Sequence, residues 1–334
     1  MIGGRVLFAV ATAALALSPS DLRTGGPSDL RTLGPSDLRT VGPSHLGTLG
    51  PSDPGTLGPS HLGTLGPSDP QQHPMFTMRK EIVRIDVLVT EDGVPTHGLD
   101  ASDFDVFDNG VRQQVELISA DVTAIDAILA FDVSASVAGE TLTQLQRAGH
   151  AVLSGLEDRD QAALVTFSQS ISVAAPLSRD RARVGDAIDR IRASGETSLV
   201  DASYTSLVLG EADTNRGLAM IFSDGLDTSS WLPASAALDT ARRSGTVVYA
   251  VSSSDAPRAT FLRDLTSLTG GTFFEIDSAR DLEALFLRVL NEFRQRYLLS
   301  YSPAGVSADG WHKLEVRVRN RPSAMIKARP GYQR

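Results

Sequence analysis

From Ile125 to Ser136 the chain reads I-D-A-I-L-A-F-D-V-S-A-S. The run Ile128-Leu129-Ala130-Phe131 offers no polar side chain to water, the pattern of a strand buried on both faces. Strands of that kind sit in sheets covered by helices on both sides. The strand then breaks into Asp132-x-Ser134-x-Ser136. A carboxylate and two hydroxyls at alternate positions put hard oxygen atoms on the rim of the sheet, where open α/β sheets bind ligands. Oxygen-only donors suit Mg2+ or Mn2+, and a site with few charges leaves such an ion part of its water. Taken alone, the same residues also suit the cap of a helix starting near Val137.

Beyond Ser136 the chain alternates between helical and strand patterns. Leu142, Leu145, Ala148, Val152 and Leu156 fall at helical spacing, and Ala162 to Phe167 reads as a buried strand. Ile171 to Ala174 reads as an antiparallel edge strand. Helices are expected around Val184–Ile191, Leu199–Leu209, Ala234–Ser244, Phe261–Thr269 and Leu282–Phe293. Strands are expected at Leu218–Phe222, Val247–Val251 and Thr272–Ile276. Alternation of this kind is the signature of an α/β fold, a doubly wound, mostly parallel sheet.

Two later stretches tilt the reading of Asp132 towards metal. Gly195-Glu196-Thr197-Ser198-Leu199 offers a hydroxyl in a loop before a helix. Met220-Ile221-Phe222-Ser223-Asp224-Gly225 repeats an apolar strand followed by Asp and Gly. With these three motifs the chain resembles a von Willebrand factor type A (VWA) domain carrying a metal-ion-dependent adhesion site. Its surroundings resemble the bacterial, Acidobacteria-type VWFA-related proteins. The resemblance covers about Glu81 to Tyr332. It implies metal ligation by Asp132, Ser134, Ser136, Thr197 and Asp224, with hydroxyls binding directly and carboxylates directly or through water. It also implies a protein partner whose Asp or Glu completes the metal shell. Glu196 departs from the family's usual Gly; it could crowd the site or add a second acidic group. In integrin-type relatives the closing helix shifts on occupancy, and Leu282–Phe293 is its counterpart.

Cysteine is absent from all 334 residues, which excludes disulfides, thiolate metal sites, Cys nucleophiles and a lipoprotein anchor. The formal charge of −9 is a poor footprint for nucleic acid or anionic membrane. Arg5, the apolar run Val6–Leu15 and Ala14-Leu15-Ala16 compose a secretory signal peptide. Pro19 to Pro70 is a tandem octapeptide of the form P-S-D-L-R-T-L-G. Its regular Pro and Gly block helix and strand, and its few aliphatics cannot build a core. A spacer from the cell envelope and a repeat without a role both fit it.

Ile82 to Thr90 alternates with Val83, Ile85, Val87 and Val89 on one face, a half-buried strand. Phe104–Asp108, the Asn109-Gly110 turn and Gln114–Ser119 continue in β structure. Asp92, Asp103, Asp105 and Asp108 read as solvated turn formers. Tyr297–Tyr301, Lys313–Arg319 and Ala324–Ala328 return to strands. The expectation is a signal peptide (1–17), a repeat linker (18–74) and a VWA domain (122–295). That domain is inserted in a small antiparallel β-sandwich built from residues 75–121 and 296–334.

Catalysis needs an activated nucleophile or an acid/base pair. His150 and His312 stand near no nucleophile motif, and no G-x-S-x-G, H-E-x-x-H or G-K-[ST] occurs. Asp132 and Asp224 keep hydroxyl company, which suits an ion. The expected function is therefore an exported, periplasmic or extracellular, non-enzymatic module for adhesion or assembly, binding protein through Mg2+ (or Mn2+, less readily Ca2+). The alternatives are a structural envelope protein whose metal only stiffens loops and a metal-assisted hydrolase.

Overall fold

The structure, a computed structural model, describes residues 82–118, 123–224, 226–253 and 259–334. The expected signal peptide and the octapeptide tract lie outside these residues.

The first strands are β1 (Val83–Glu91), β2 (Val94–Pro95), β3 (Phe104–Asp108), β4 (Val111–Gln113) and β5 (Glu116–Ile118). The chain then enters β6 (Ile125–Asp132), α1 (Glu140–Gly155), β7 (Gln161–Phe167), β8 (Ile171–Ser178), α2 (Arg181–Arg190) and α3 (Leu199–Gly210). It continues through β9 (Arg216–Phe222), α4 (Ala234–Arg243), β10 (Val247–Ser253), α5 (Thr260–Thr269), β11 (Phe273–Ile276) and α6 (Leu282–Arg294). It closes with β12 (Tyr297–Tyr301), β13 (Trp311–Val318), β14 (Met325–Lys327) and β15 (Gly331–Gln333).

The central sheet has the order β11-β10-β9-β6-β7-β8, parallel throughout except for β8, which runs antiparallel to β7. All eight residues of β6 are buried. Leu129 and Phe131 pack with Leu145 and Val152 of α1, Ile188 of α2 and Phe286 of α6. Ile128 and Ala130 face the other way, onto Leu199 and Leu207 of α3 and Leu265 of α5. Period-two alternation on a strand with two apolar neighbours is why the sequence shows a continuous apolar run. From β6 the chain winds outward through β7 and β8, then returns to β9 and winds the opposite way. The crevice between β6 and β9 is therefore the point where strand order reverses, the place such sheets bind ligands. α5 stops as expected: Gly270 caps it at φ +74°, a left-handed conformation suited to a residue without Cβ.

The remaining strands form two antiparallel sheets, β14-β1-β12-β5 with β2 on β1, and β15-β13-β3-β4. Ile85, Val87, Phe104, Val106, Leu299 and Leu314 fill the space between them. β5 pairs with β12, Ile118 opposite Leu298, so the strand before the α/β region lies beside the strand after it. That is the geometry of an insertion into a sandwich. Asp86 of β1 forms a buried ion pair with Arg216 at the start of β9. Arg296, fully buried, donates to Tyr249 Oη (2.7 Å) and to the Gly270 carbonyl (2.8 Å).

Two readings need correction. Asp108 is not a solvated turn former. It is fully buried, with Oδ2 accepting from the hydroxyls of Tyr301 and Tyr332 (2.8 Å each) and Oδ1 2.8 Å from His312 Nδ1. The expected start of the first helix near Val137 is a 3-10 turn, Ala135–Val137, and the α-helix begins only after Gly139 at φ +84°. The segment after Pro330 forms a short strand, β15, paired with β13.

Candidate metal centre

Asp132 is the last residue of β6, and its carboxylate is fully buried. Its Oδ1 accepts from the Ser134 amide (2.9 Å) and its Oδ2 from the Ser223 hydroxyl (2.7 Å). Burial pushes its pKa up, and these hydrogen bonds pull against that shift. Among the described residues it has no cationic partner. Ser134 Oγ lies 3.0 Å from Ser136 Oγ, and Ser136 donates to Asp224 Oδ1 at 2.9 Å. Four of the five expected residues are thus linked in one chain of hydrogen bonds across the β6–β9 crevice.

The fifth, Thr197, is placed by the backbone. The Ala135 amide donates to the Gly195 carbonyl (3.0 Å) and the Ser194 amide to the Val133 carbonyl (2.7 Å). These two bonds bind the Thr197 loop to the Asp132–Ser136 loop. Gly195 turns the loop at φ +80°. Thr197 is 6% exposed, yet its hydroxyl has no hydrogen-bond partner among the described residues. Glu196 is exposed and makes no hydrogen bond or ion pair with them.

The sequence reading missed the scaffold behind the rim. The segment after Asp224 folds back over the start of α3. Thr228 and Ser229 donate their amides to the Thr197 carbonyl (2.8 and 3.1 Å). Ser230 Oγ accepts from the amides of Val200 and Asp201 (both 3.1 Å), and Asp227 Oδ1 also accepts from Val200 (3.2 Å), so donors of the first helical turn are satisfied from this segment. In return Asp201 accepts from the amides of Trp231 (2.9 Å) and Leu232 (2.9 Å). The loop so clamped presents Trp231 with 93% of its surface exposed. The one local signal was Asp227-Thr228-Ser229-Ser230, a run of capping residues without an adjacent helix start of its own.

As a donor set, the rim has two carboxylates and three hydroxyls, with no nitrogen or sulfur. Among the described residues no three His, Cys, Asp or Glu side chains gather as a metal cluster. A purely acidic or imidazole site is therefore not what is built here. Hard oxygen donors of low total charge fit a hard divalent cation that keeps part of its water.

A family model described as the von Willebrand factor type A domain matches residues 126–288. The chain carries a von Willebrand factor type A domain. No curated protein matches the sequence. Among solved structures the chain is similar to a von Willebrand factor type A protein from Catenulispora acidiphila. That match has 12% identity and TM-score 0.49, and covers 77% of this chain and 75% of that one. It is also similar to the vWF domain of the type V pili tip protein Mfa5 from Porphyromonas gingivalis (13%, TM-score 0.42, covering 51% and 94%). A third is proximal thread matrix protein 1 from the mussel byssus, with a zinc-occupied adhesion motif (17%, TM-score 0.47, covering 55% and 49%).

Proposed function

We propose that the VWA rim is a metal-dependent protein-binding site, and that the chain works as an adhesion or assembly module outside the cytoplasm. Domains of this family bind a divalent metal and mediate protein–protein interaction. In this chain Asp132, Ser134, Ser136, Thr197 and Asp224 would hold the ion. Mg2+ suits the oxygen donors best, with Mn2+ next. The observation that carries the reading is the juxtaposition of the five residues: Asp132, Ser134, Ser136 and Asp224 are linked by hydrogen bonds across the crevice, and the Thr197 loop is bonded to the Asp132–Ser136 loop.

The bound cation would supply one thing, a point of directional attraction for a partner's carboxylate. The rest is done by the chain. Ser223 and the Ser134 amide hold the Asp132 carboxylate in place. The Thr228–Leu232 clamp fixes the Thr197 loop against α3. Rigid loops around the rim supply specificity, since the ion itself discriminates little among carboxylates. Export rests on the residues up to Ala16. No helix among the described residues is long and apolar enough to cross a membrane.

Calorimetric titration of the full chain with Mg2+ and Mn2+, beside Asp132→Ala and Thr197→Ala, tests the site. The expected result is saturable binding, lost in both variants while their folding is kept. Absence of saturable binding by the folded wild type, with an acidic peptide present as well as without it, overturns the reading. A metal that raises thermal stability but recruits no acidic peptide or envelope protein would leave a loop stabiliser in place of an adhesion site.

A further inference from the structure

At the pole opposite the rim, where β9 begins, a cavity of about 350 Å³ opens between β1, the ends of α3 and α4, and the C-terminal segment. Five arginines line it: Arg84, Arg216, Arg243, Arg329 and Arg334. So do three carboxylates, Asp86, Glu211 and Asp213. For a chain with a net charge of −9 this is an unusual concentration of cations.

Each carboxylate already has partners, and for Asp86 the partner is one of the cavity's own arginines. Asp86 pairs with Arg216. Glu211 Oε1 accepts from Ser244 Oγ (2.8 Å) and from the Gly245 and Thr246 amides (2.7 and 3.1 Å). Asp213 accepts from Gln161 Nε2 (3.1 Å) and from the Thr214 amide (2.7 Å).

Three of the guanidiniums have no carboxylate partner among the described residues. Arg243 is exposed and makes no hydrogen bond with them. Arg84 makes one, to the Thr214 carbonyl (2.9 Å). Arg329 is only 9% exposed, and burial pulls its pKa down to about 10. Its Nε donates to the Gly331 carbonyl (2.8 Å) and its Nη2 to that of Arg242 (2.7 Å), near the C-terminal end of α4. A helix C-terminus favours a cation, which accounts for part of this burial. It leaves Nη1 without a hydrogen-bond partner among the described residues. Glu211, in the same lining, offsets part of this charge through space, but no carboxylate pairs with Arg329 directly among the described residues, and two further cations stand beside the same cavity.

We propose that this cavity binds a tetrahedral oxyanion, a phosphate or sulfate, free or as the head of a small ester. Guanidinium forks match the oxygens of such ions. Donors from three different elements suit a ligand with three or more acceptor oxygens. The site is independent of the metal rim, lying at the other end of the strands.

The test is titration of the full chain, without divalent metal, with inorganic phosphate, inorganic sulfate and a small phosphate monoester. Sodium chloride at matched ionic strength is the control. Arg84→Ala and Arg243→Ala are made singly and together, since both side chains are exposed and neither holds the fold. The expected result is saturable binding, weakened about tenfold or more in the double variant, the worth of one charge-assisted hydrogen bond. Mg2+ titration of that variant should match the wild type. A monoester that binds more tightly than free phosphate identifies an ester head group as the ligand; equal affinities identify the free ion. Chloride acting as well as phosphate, no saturable binding, or an unchanged affinity in the double variant overturns the proposal.

Discussion

Two fully buried aspartates stand at strand ends in this molecule, and they have opposite environments. Asp108 ends β3 inside the sandwich, and Asp132 ends β6 at the rim. Asp108 is closed in by bulky donors: two tyrosine hydroxyls and an imidazole, whose ring stacks on Tyr332 with centroids 4.6 Å apart. Asp132 has only small donors, a backbone amide and a serine hydroxyl, and stands beside the paired hydroxyls of Ser134 and Ser136. Burial alone does not mark a functional carboxylate. What separates the two is whether the surrounding donors already close the charge off. Large aromatic donors make a structural lock, whereas small hydroxyls leave room for an ion.

Four substitutions and a pH series can break or sharpen this contrast. The largest effect is expected from Asp108→Ala, which removes the acceptor shared by His312 and two tyrosine hydroxyls in the sandwich core. A loss of about 3 kcal/mol or more in urea unfolding, with Mg2+ or without, is the expected outcome. A loss that Mg2+ restored would mean the two aspartates are not distinct in kind. Next is Asp132→Ala, expected to abolish the Mg2+-dependent rise in melting temperature. Its metal-free stability should fall less than that of Asp108→Ala. Alkaline titration probes the lock from the other side. Burial pushes Tyr332 up to about 12 and raises Tyr301 as well. An unfolded tyrosine ionises near 10, so the stabilisation is whole below about pH 10 and is lost as pH climbs towards 12. Thermal melts between pH 9 and about pH 12 should show that decline, and a Tyr332→Phe variant should show less of it. The smallest effect on stability is expected from Trp231→Ala. Its exposed ring holds nothing, so a change within about 0.5 kcal/mol is predicted. A partner captured in the presence of Mg2+ should nonetheless bind more weakly, because exposed aromatics on rigid loops anchor interfaces.

How far the sequence carries follows the same division. The rim was legible because its logic is local. An apolar strand, then Asp-x-Ser-x-Ser, is a dozen consecutive residues, and β9 repeats the theme with Asp224. Asp108 was misread because its partners Tyr301, His312 and Tyr332 stand about 200 positions away, beyond any window of periodicity. Its own neighbourhood, Asp-Asn-Gly, shows only the turn, which is indeed there at Asn109 and Gly110 with φ +47° and +81°. The Trp231 clamp was invisible for a related reason. Ser230 and Asp201 each satisfy the other's segment, so neither carries a motif when read alone. β15 carries no pattern of its own, since three residues after a proline show no alternation; its fit depends on Gly331, where Trp311 leaves no space for a Cβ.

The junction between α6 and β12 has a mechanical consequence. Only Gln295 and Arg296 separate the closing helix from a strand hydrogen-bonded to both β1 and β5. A pull on the chain ahead of Ile82, opposed by a partner held at the rim, would load β1 first. Because β1 and β12 run antiparallel through five registered pairs, Val83–Val87 against Tyr301–Tyr297, tension along β1 acts as shear across the whole ladder. The sandwich then bears the load in its stiff direction, with Asp86–Arg216 bracing it against the sheet. Under such a load, the rim would be spared from being pulled apart.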